Sequence, residues 1–193
     1  MKFNFNYSVD SEIKRVLYTL SKYQFYQDNG YKVKLPEGVN TSFTDTDKSL
    51  DLTRVIEAEL KVREIQKYEK ILLKRWQELD SQIEKFLDNL SYPKPEEIFL
   101  TFTQYGVGGS YGPPNKIIYN IINKREILET VVHELIHCII EEPVVNHYGL
   151  THWEKESLVE YLIIENLNNI FPKYIYRNNN RPSEELLRKV GLR

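Results

Sequence analysis

Apolar positions along this chain change their period several times, and each change marks a predicted element. Phe3, Phe5, Tyr7 and Val9 alternate with polar residues, which predicts a short strand. Ile13, Val16, Leu17 and Leu20 then recur at helical spacing, with Asp10 or Ser11 as the candidate cap. Residues 28–48 carry Gly, Pro, Thr and Asp and read as a loop, with room for one short strand at 31–35. Neither Pro nor Gly occurs from Leu50 to Leu90, so this stretch predicts one long helix or two joined end to end. Within it Leu72, Trp76, Leu79, Ile83, Phe86 and Leu90 step by four and three, a coiled-coil-like seam. Such a seam packs against the protein's own helices or, as the alternative, serves self-association through helix 50–90.

Tyr92-Pro93-Lys94-Pro95 is the best internal boundary. Beyond it, 98–103 and 117–122 are rich in β-branched and aromatic residues and predict strands, with a turn-rich loop at 106–115 between them. Leu128, Val131, Val132, Leu135, Ile136, Ile139 and Ile140 predict a helix over 125–142 that is buried on more than one side. Asn123 and Glu126 read as its cap, and Pro143 blocks its continuation. A second helix follows over 153–162, with Leu158, Tyr161, Leu162 and Glu165 at helical spacing. Residues 178–182 read as a linker to a short helix at 183–190, stopped by Gly191 and docked on the body. The expected fold is α+β: a mainly helical region at 1–92, then a unit at 93–193 with a small mixed or antiparallel sheet, two site-bearing helices and a tail helix.

Composition narrows the classes. The 193 residues are 41% hydrophobic and 12% aromatic, which suits a folded core. A net charge of −2 provides no electrostatic reason for nucleic-acid binding. No apolar run reaches membrane-spanning length, and the first residues lack a signal-peptide core. The single cysteine, Cys138, excludes an internal disulfide, so the expected location is the cytoplasm with no membrane association.

Candidate chemistry is concentrated in His133-Glu134-Leu135-Ile136-His137. On a helix the two histidines project from one face, one turn apart, so both imidazoles can reach one metal ion. Glu134 is offset round the helix, where it can meet a water on that metal. Two nitrogens and one carboxylate suit Zn²⁺ and leave a fourth position open, the mark of a catalytic rather than structural site. Downstream candidates for the third ligand are His147, His152, Glu154, Glu156, Glu160 and Glu165; no aspartate occurs after Asp88. Cys138 adjoins His137 but projects about 100° away and reads as core.

His133-Glu-x-x-His137 followed by Glu156 within Trp153-x-x-Glu156-Ser157-Leu158-Val159-Glu160-Tyr161 resembles the gluzincin metallopeptidases. The likeness is greatest to the aminopeptidase-N and leukotriene-A4-hydrolase type, with small thermolysin-like gluzincins as further relatives, and it covers about residues 95–170. It implies His133, His137 and Glu156 as zinc ligands and Glu134 as general base. It also implies Glu160 as the carboxylate that orients a ligand histidine, and a tyrosine that supports the oxyanion, for which Tyr148 and Tyr174 are the leading candidates and His147 and Tyr176 the others. Gly108, Gly109, Ser110 and Tyr111 stand where the family lines its substrate cleft, but without the glutamate that recognises a free amine.

The expected activity is therefore zinc-dependent hydrolysis of a peptide or protein substrate, as an endopeptidase more than an aminopeptidase. The competing reading is a binding or regulatory protein with a zinc-stabilised site and no turnover, using its long helix as the working surface.

Overall fold

The computed structural model describes residues 1–40, 49–176 and 181–192. The alternating start forms strand β1 (Lys2–Asn6), and helix α1 (Val9–Ser21) follows at once. The cap of α1 is Ser8, whose hydroxyl accepts the Ser11 N–H while Ser11 returns the bond; the expected caps Asp10 and Ser11 lie inside the helix. A short helix α2 (Tyr23–Asp28) comes next. The expected strand at 31–35 is reduced to one antiparallel bridge between Lys34 and Gly106, and residues 41–48 of the expected loop lie outside the described residues.

The Pro- and Gly-free stretch forms two helices, α3 (Ser49–Glu59) and α4 (Val62–Asn89), separated at Leu60 and Lys61. Along α4 the seam points inward: Leu72, Trp76, Ile83 and Phe86 are buried, and Leu79 and Leu90 pack against the same core. The seam is thus filled by the chain's own sheet and helices. Fully burying one such side chain contributes about 1.5–3 kcal/mol.

Strand β2 (Glu97–Thr103) lies beside β1 in parallel, Phe3 opposite Ile98 and Phe5 opposite Leu100. Within the stretch expected to be loop, the chain forms a third strand, β3 (Gly109–Gly112), which turns back into β4 (Lys116–Asn120). The sheet order is β1-β2-β4-β3, parallel except for β3, which runs antiparallel to β4 at the edge. Two of the four β3 residues are glycine, which is why β-propensity did not reveal it; pairing with β4 makes it a strand. Ile98, Leu100, Phe102, Ile117 and Tyr119 turn one face of the sheet toward the helices.

Against that face lies α5 (Ile127–Ile140), followed by one π turn (Glu141–Asn146) and α6 (His152–Leu167). Pro143 has no N–H to continue the α-helical ladder, and the chain widens into the π turn instead of simply stopping. Asn123 does not cap α5, whose N-cap is Glu126 without a side-chain bond. Instead the Asn123 amide donates to Thr130 Oγ1 and to the Gly108 carbonyl, tying α5 to the strand beside it. Thr151 and Glu154 form the reciprocal cap of α6.

The tail helix α7 (Glu184–Lys189) docks Leu186 and Leu187 in the main core. The expected boundary near 92–93 coincides with the end of α4, where Ser91 takes φ 59°. Across it β1 joins the sheet and α4 joins the core of the second stretch, so one hydrophobic cluster spans both. A smaller cluster of Val16, Leu52, Ile56 and Tyr105 sits under α1 and α3. No described helix is long and apolar enough to cross a membrane.

Candidate metal centre

Helix α5 is apolar on nearly every side, which forces it into the interior and carries His133, Glu134 and His137 inward with it. Glu156 meets them from α6 and is 7% exposed. His133 Nε2 lies 3.4 Å from Glu156 Oε2, His137 Nε2 lies 3.3 Å from Oε1, and the two Nε2 atoms are 3.1 Å apart. Zinc bonds of about 2.0–2.2 Å at tetrahedral angles require ligand atoms about 3.3–3.5 Å apart, so the three contacts have nearly the spacing of one tetrahedral face. These ligand atoms all lie within 4.8 Å of one another. The donor set and its dimensions fit a small divalent cation.

The electrostatics agree. Burial pushes the Glu156 carboxyl up, but His137 and His133 outweigh it and hold the group well below the usual carboxylate range. A bound cation would take the place of the imidazole protons as the positive charge that keeps this carboxylate ionised.

Each histidine is held differently. His133 Nδ1 lies 2.6 Å from the Tyr174 hydroxyl, and the Tyr174 ring carries the Arg125 guanidinium 4.8 Å from its centroid. Were Nε2 to bind a cation, Nδ1 would carry the proton and donate to the phenol oxygen. Tyr174 therefore sits on the outer nitrogen of His133, opposite the edge that faces Glu156. His137 Nδ1 has no hydrogen-bond partner among the described residues. Its ring instead lies flat on that of Tyr111, with centroids 4.6 Å apart and planes 2° from parallel.

Strand β3 supplies the wall beside α5. Gly109 lies against Glu134, and Tyr111, two residues on, faces the same way onto His137. Ser110 faces the other side, where its hydroxyl accepts from Arg15 Nη1 at 3.1 Å. Arg15 is itself buried, and its guanidinium lies over Gly106, which takes φ 79° and has no room for a Cβ. Glu12, one turn earlier on α1, is fully buried; it accepts from the Thr103 hydroxyl and from the Gln104 N–H.

The remaining sequence candidates are more scattered. Tyr148 is half-buried and packs edge-on against His147, making no hydrogen bond to the three ligand side chains among the described residues. Glu160 is buried one turn beyond Glu156 on α6. His152 Nε2 pairs with the Tyr31 hydroxyl at 2.8 Å in an aromatic group with Phe25 and Trp153. Cys138 is in the core, where burial pushes its thiol up to about 12. Three residues near the site went unforeseen: Arg15, Glu141 and Lys155. Only Lys155 had a sequence cue, its place beside Glu156. Set against family models, curated proteins and solved structures, the chain matches none of them.

Proposed function

We propose that this protein is a zinc-dependent peptide-bond hydrolase, acting as an endopeptidase. The observation that carries the reading is the His133, His137 and Glu156 triangle, buried and spaced for one cation. A zinc ion held there supplies Lewis acidity, the property that brings the pKa of a coordinated water down to about 7. Glu134, next in sequence to His133, accepts the proton of the attacking water and hands it to the departing amine. Tyr174 fixes the ring of His133, and Tyr148 with His147 stays the candidate support for the oxyanion.

The peptide class is supported by β3. The bond from Asn120 N–H to the Gly108 carbonyl marks a hydrogen-bonded pair, so alternate residues Ser110 and Gly112 face β4 and the backbones of Gly109 and Tyr111 face outward. An extended peptide pairing with that free edge would lie alongside Glu134 and His137. Gly108, Gly109, Ser110 and Tyr111 include no carboxylate to hold a free amine, which favours cleavage within a chain. The rival reading, a non-catalytic zinc-stabilised binding protein, draws no support from α4, whose apolar seam is already covered.

Metal analysis and turnover decide the matter together. Expected is one zinc per chain and cleavage of unfolded peptide substrates by the wild type, with Glu134→Gln keeping the metal and losing cleavage by about 10²-fold or more. Equal cleavage by the variant removes Glu134 as the base. A wild-type protein without zinc affinity removes the proposal.

A further inference from the structure

The metal-centre reading leaves an asymmetry between the two histidines. A histidine that binds a metal through one nitrogen ordinarily donates its other N–H to a carboxylate, carbonyl or water, which fixes the ring. His133 has Tyr174 for this. His137 has no such acceptor among the described residues, yet it is 1% exposed and its Nε2 shares the convergence.

Tyr111 is placed to set the rotation of His137. Imidazole binds a cation in the plane of the ring, through the Nε2 lone pair, so its two faces are free for contact. The Tyr111 ring covers one face at 4.6 Å and 2°. Rotating His137 about its terminal torsion would drive it into that ring. The torsion is otherwise soft, since bonds of this type have broad minima.

The phenol is fixed in turn. Its hydroxyl donates to Glu141 Oε2 at 2.6 Å and accepts from Lys155 Nζ at 2.5 Å. Lys155 and Glu141 are 4.0 Å apart, and the ammonium lies 5.0 Å from the Tyr111 ring centroid. The three groups come from different places: Tyr111 from the edge strand, Glu141 from the turn directly after α5, and Lys155 from the position before Glu156. One hydroxyl thus joins the elements that carry the ligands.

We infer that Tyr111 is the positioning residue for His137, a stacked clamp on a ring that no described side chain or carbonyl holds at Nδ1, itself anchored by Glu141 and Lys155. This rests on His133, His137 and Glu156 binding a cation. Its consequence is that metal affinity depends on a side chain that offers the metal no ligand atom.

The test compares wild type, Tyr111→Phe, Tyr111→Leu and Lys155→Met, using Zn²⁺ and Co²⁺ as probes. Zinc affinity is measured by competition with a chromophoric chelator, and the visible spectrum of the Co²⁺ form reports ligand geometry. Loss of the ring in Tyr111→Leu is expected to weaken zinc about 10- to 100-fold and to alter the Co²⁺ spectrum. Tyr111→Phe keeps the stacked ring without its anchors, so it should recover part of that loss and still bind zinc about 3- to 10-fold more weakly than wild type. Lys155→Met should resemble it. Leu72→Ala is the control for lost stability alone: it should lower the melting temperature and leave the Co²⁺ spectrum unchanged.

A Tyr111→Leu protein with wild-type zinc affinity and an unaltered spectrum overturns the clamp while the metal centre stands. If Tyr111→Leu does not fold, Tyr111→Phe and Lys155→Met decide, and wild-type affinity in both overturns the clamp. A wild type that takes up neither metal overturns the metal centre itself, and the clamp with it.

Discussion

The backbone of Gly109 lies so close to the Glu134 carboxylate that a Cβ there would stand 2.5 Å from Oε1. The same Cβ would come 2.8 Å from Thr130 Cγ2. The edge strand therefore packs directly against the proposed base, and any larger residue there must displace Glu134 and crowd Thr130.

Gly109→Ala is expected to push Glu134 aside. Hydrolysis should fall by about 100-fold, as expected for roughly 1 Å of misplacement, while zinc stays bound. In a Glu134→Ala background the same substitution should cost far less, because the clashing carboxylate is gone. A double-mutant cycle on kcat/KM checks this, and simple additivity would show that Gly109 acts elsewhere.

Tyr174→Phe removes the acceptor on His133 Nδ1 but keeps the ring under Arg125. Zinc affinity should drop by about tenfold, the lower end for loss of such a partner. Competition titration against a chelator measures it. An unchanged affinity would mean that packing alone orients His133.

In the metal-free protein the ligand carboxylate gives a pH effect with a definite sign. Glu156 is held below its ordinary value of 4.5, so below that pH the unfolded chain binds more protons than the folded one. The stabilisation it contributes is complete above the unfolded pKa and is lost as pH falls toward the folded one. In chelated protein, melting temperature should fall with acid below about pH 4.5. Glu156→Gln should show a shallower acid limb. Glu84 and Glu154, whose carboxyls are also lowered, keep some slope in the variant. Identical acid limbs would place the effect elsewhere.

Glu12→Ala tests the region between α1 and the sheet. It leaves the Gln104 N–H and the Thr103 hydroxyl without their buried acceptor. At about 1–3 kcal/mol for each of these two groups, the expected cost is about 2–6 kcal/mol in urea unfolding. A loss under about 0.5 kcal/mol, as at an ordinary surface site, would contradict this account.

Much was legible in the chain itself. Alternation at Phe3 and Phe5, the four-three seam of α4, and apolar residues surrounding His133 and His137 all report local periodicity, which one strand or helix expresses without help from the rest. The two histidines one turn apart are of the same kind, since helix geometry alone brings them together.

The rest depends on pairs distant in sequence. Glu156 was selected by a motif likeness, but its meeting with both imidazoles requires α6 to pack on α5. Strand β3 exists through pairing with β4, so its glycines read as loop. Asn123 was expected to cap a helix by local rules, but its Oδ1 accepts the Arg125 N–H ahead of the helix while its amide donates to Gly108 and Thr130. Arg15 against Ser110, Tyr174 behind His133, and Lys155 with Glu141 around Tyr111 leave no periodic trace. The sequence by itself determined which side chains could bind and transfer protons, because that is a property of residue type and helical spacing. Only the tertiary structure decided how each ring and carboxylate is aimed, because their orientation is set by neighbours that the chain brings together when it packs.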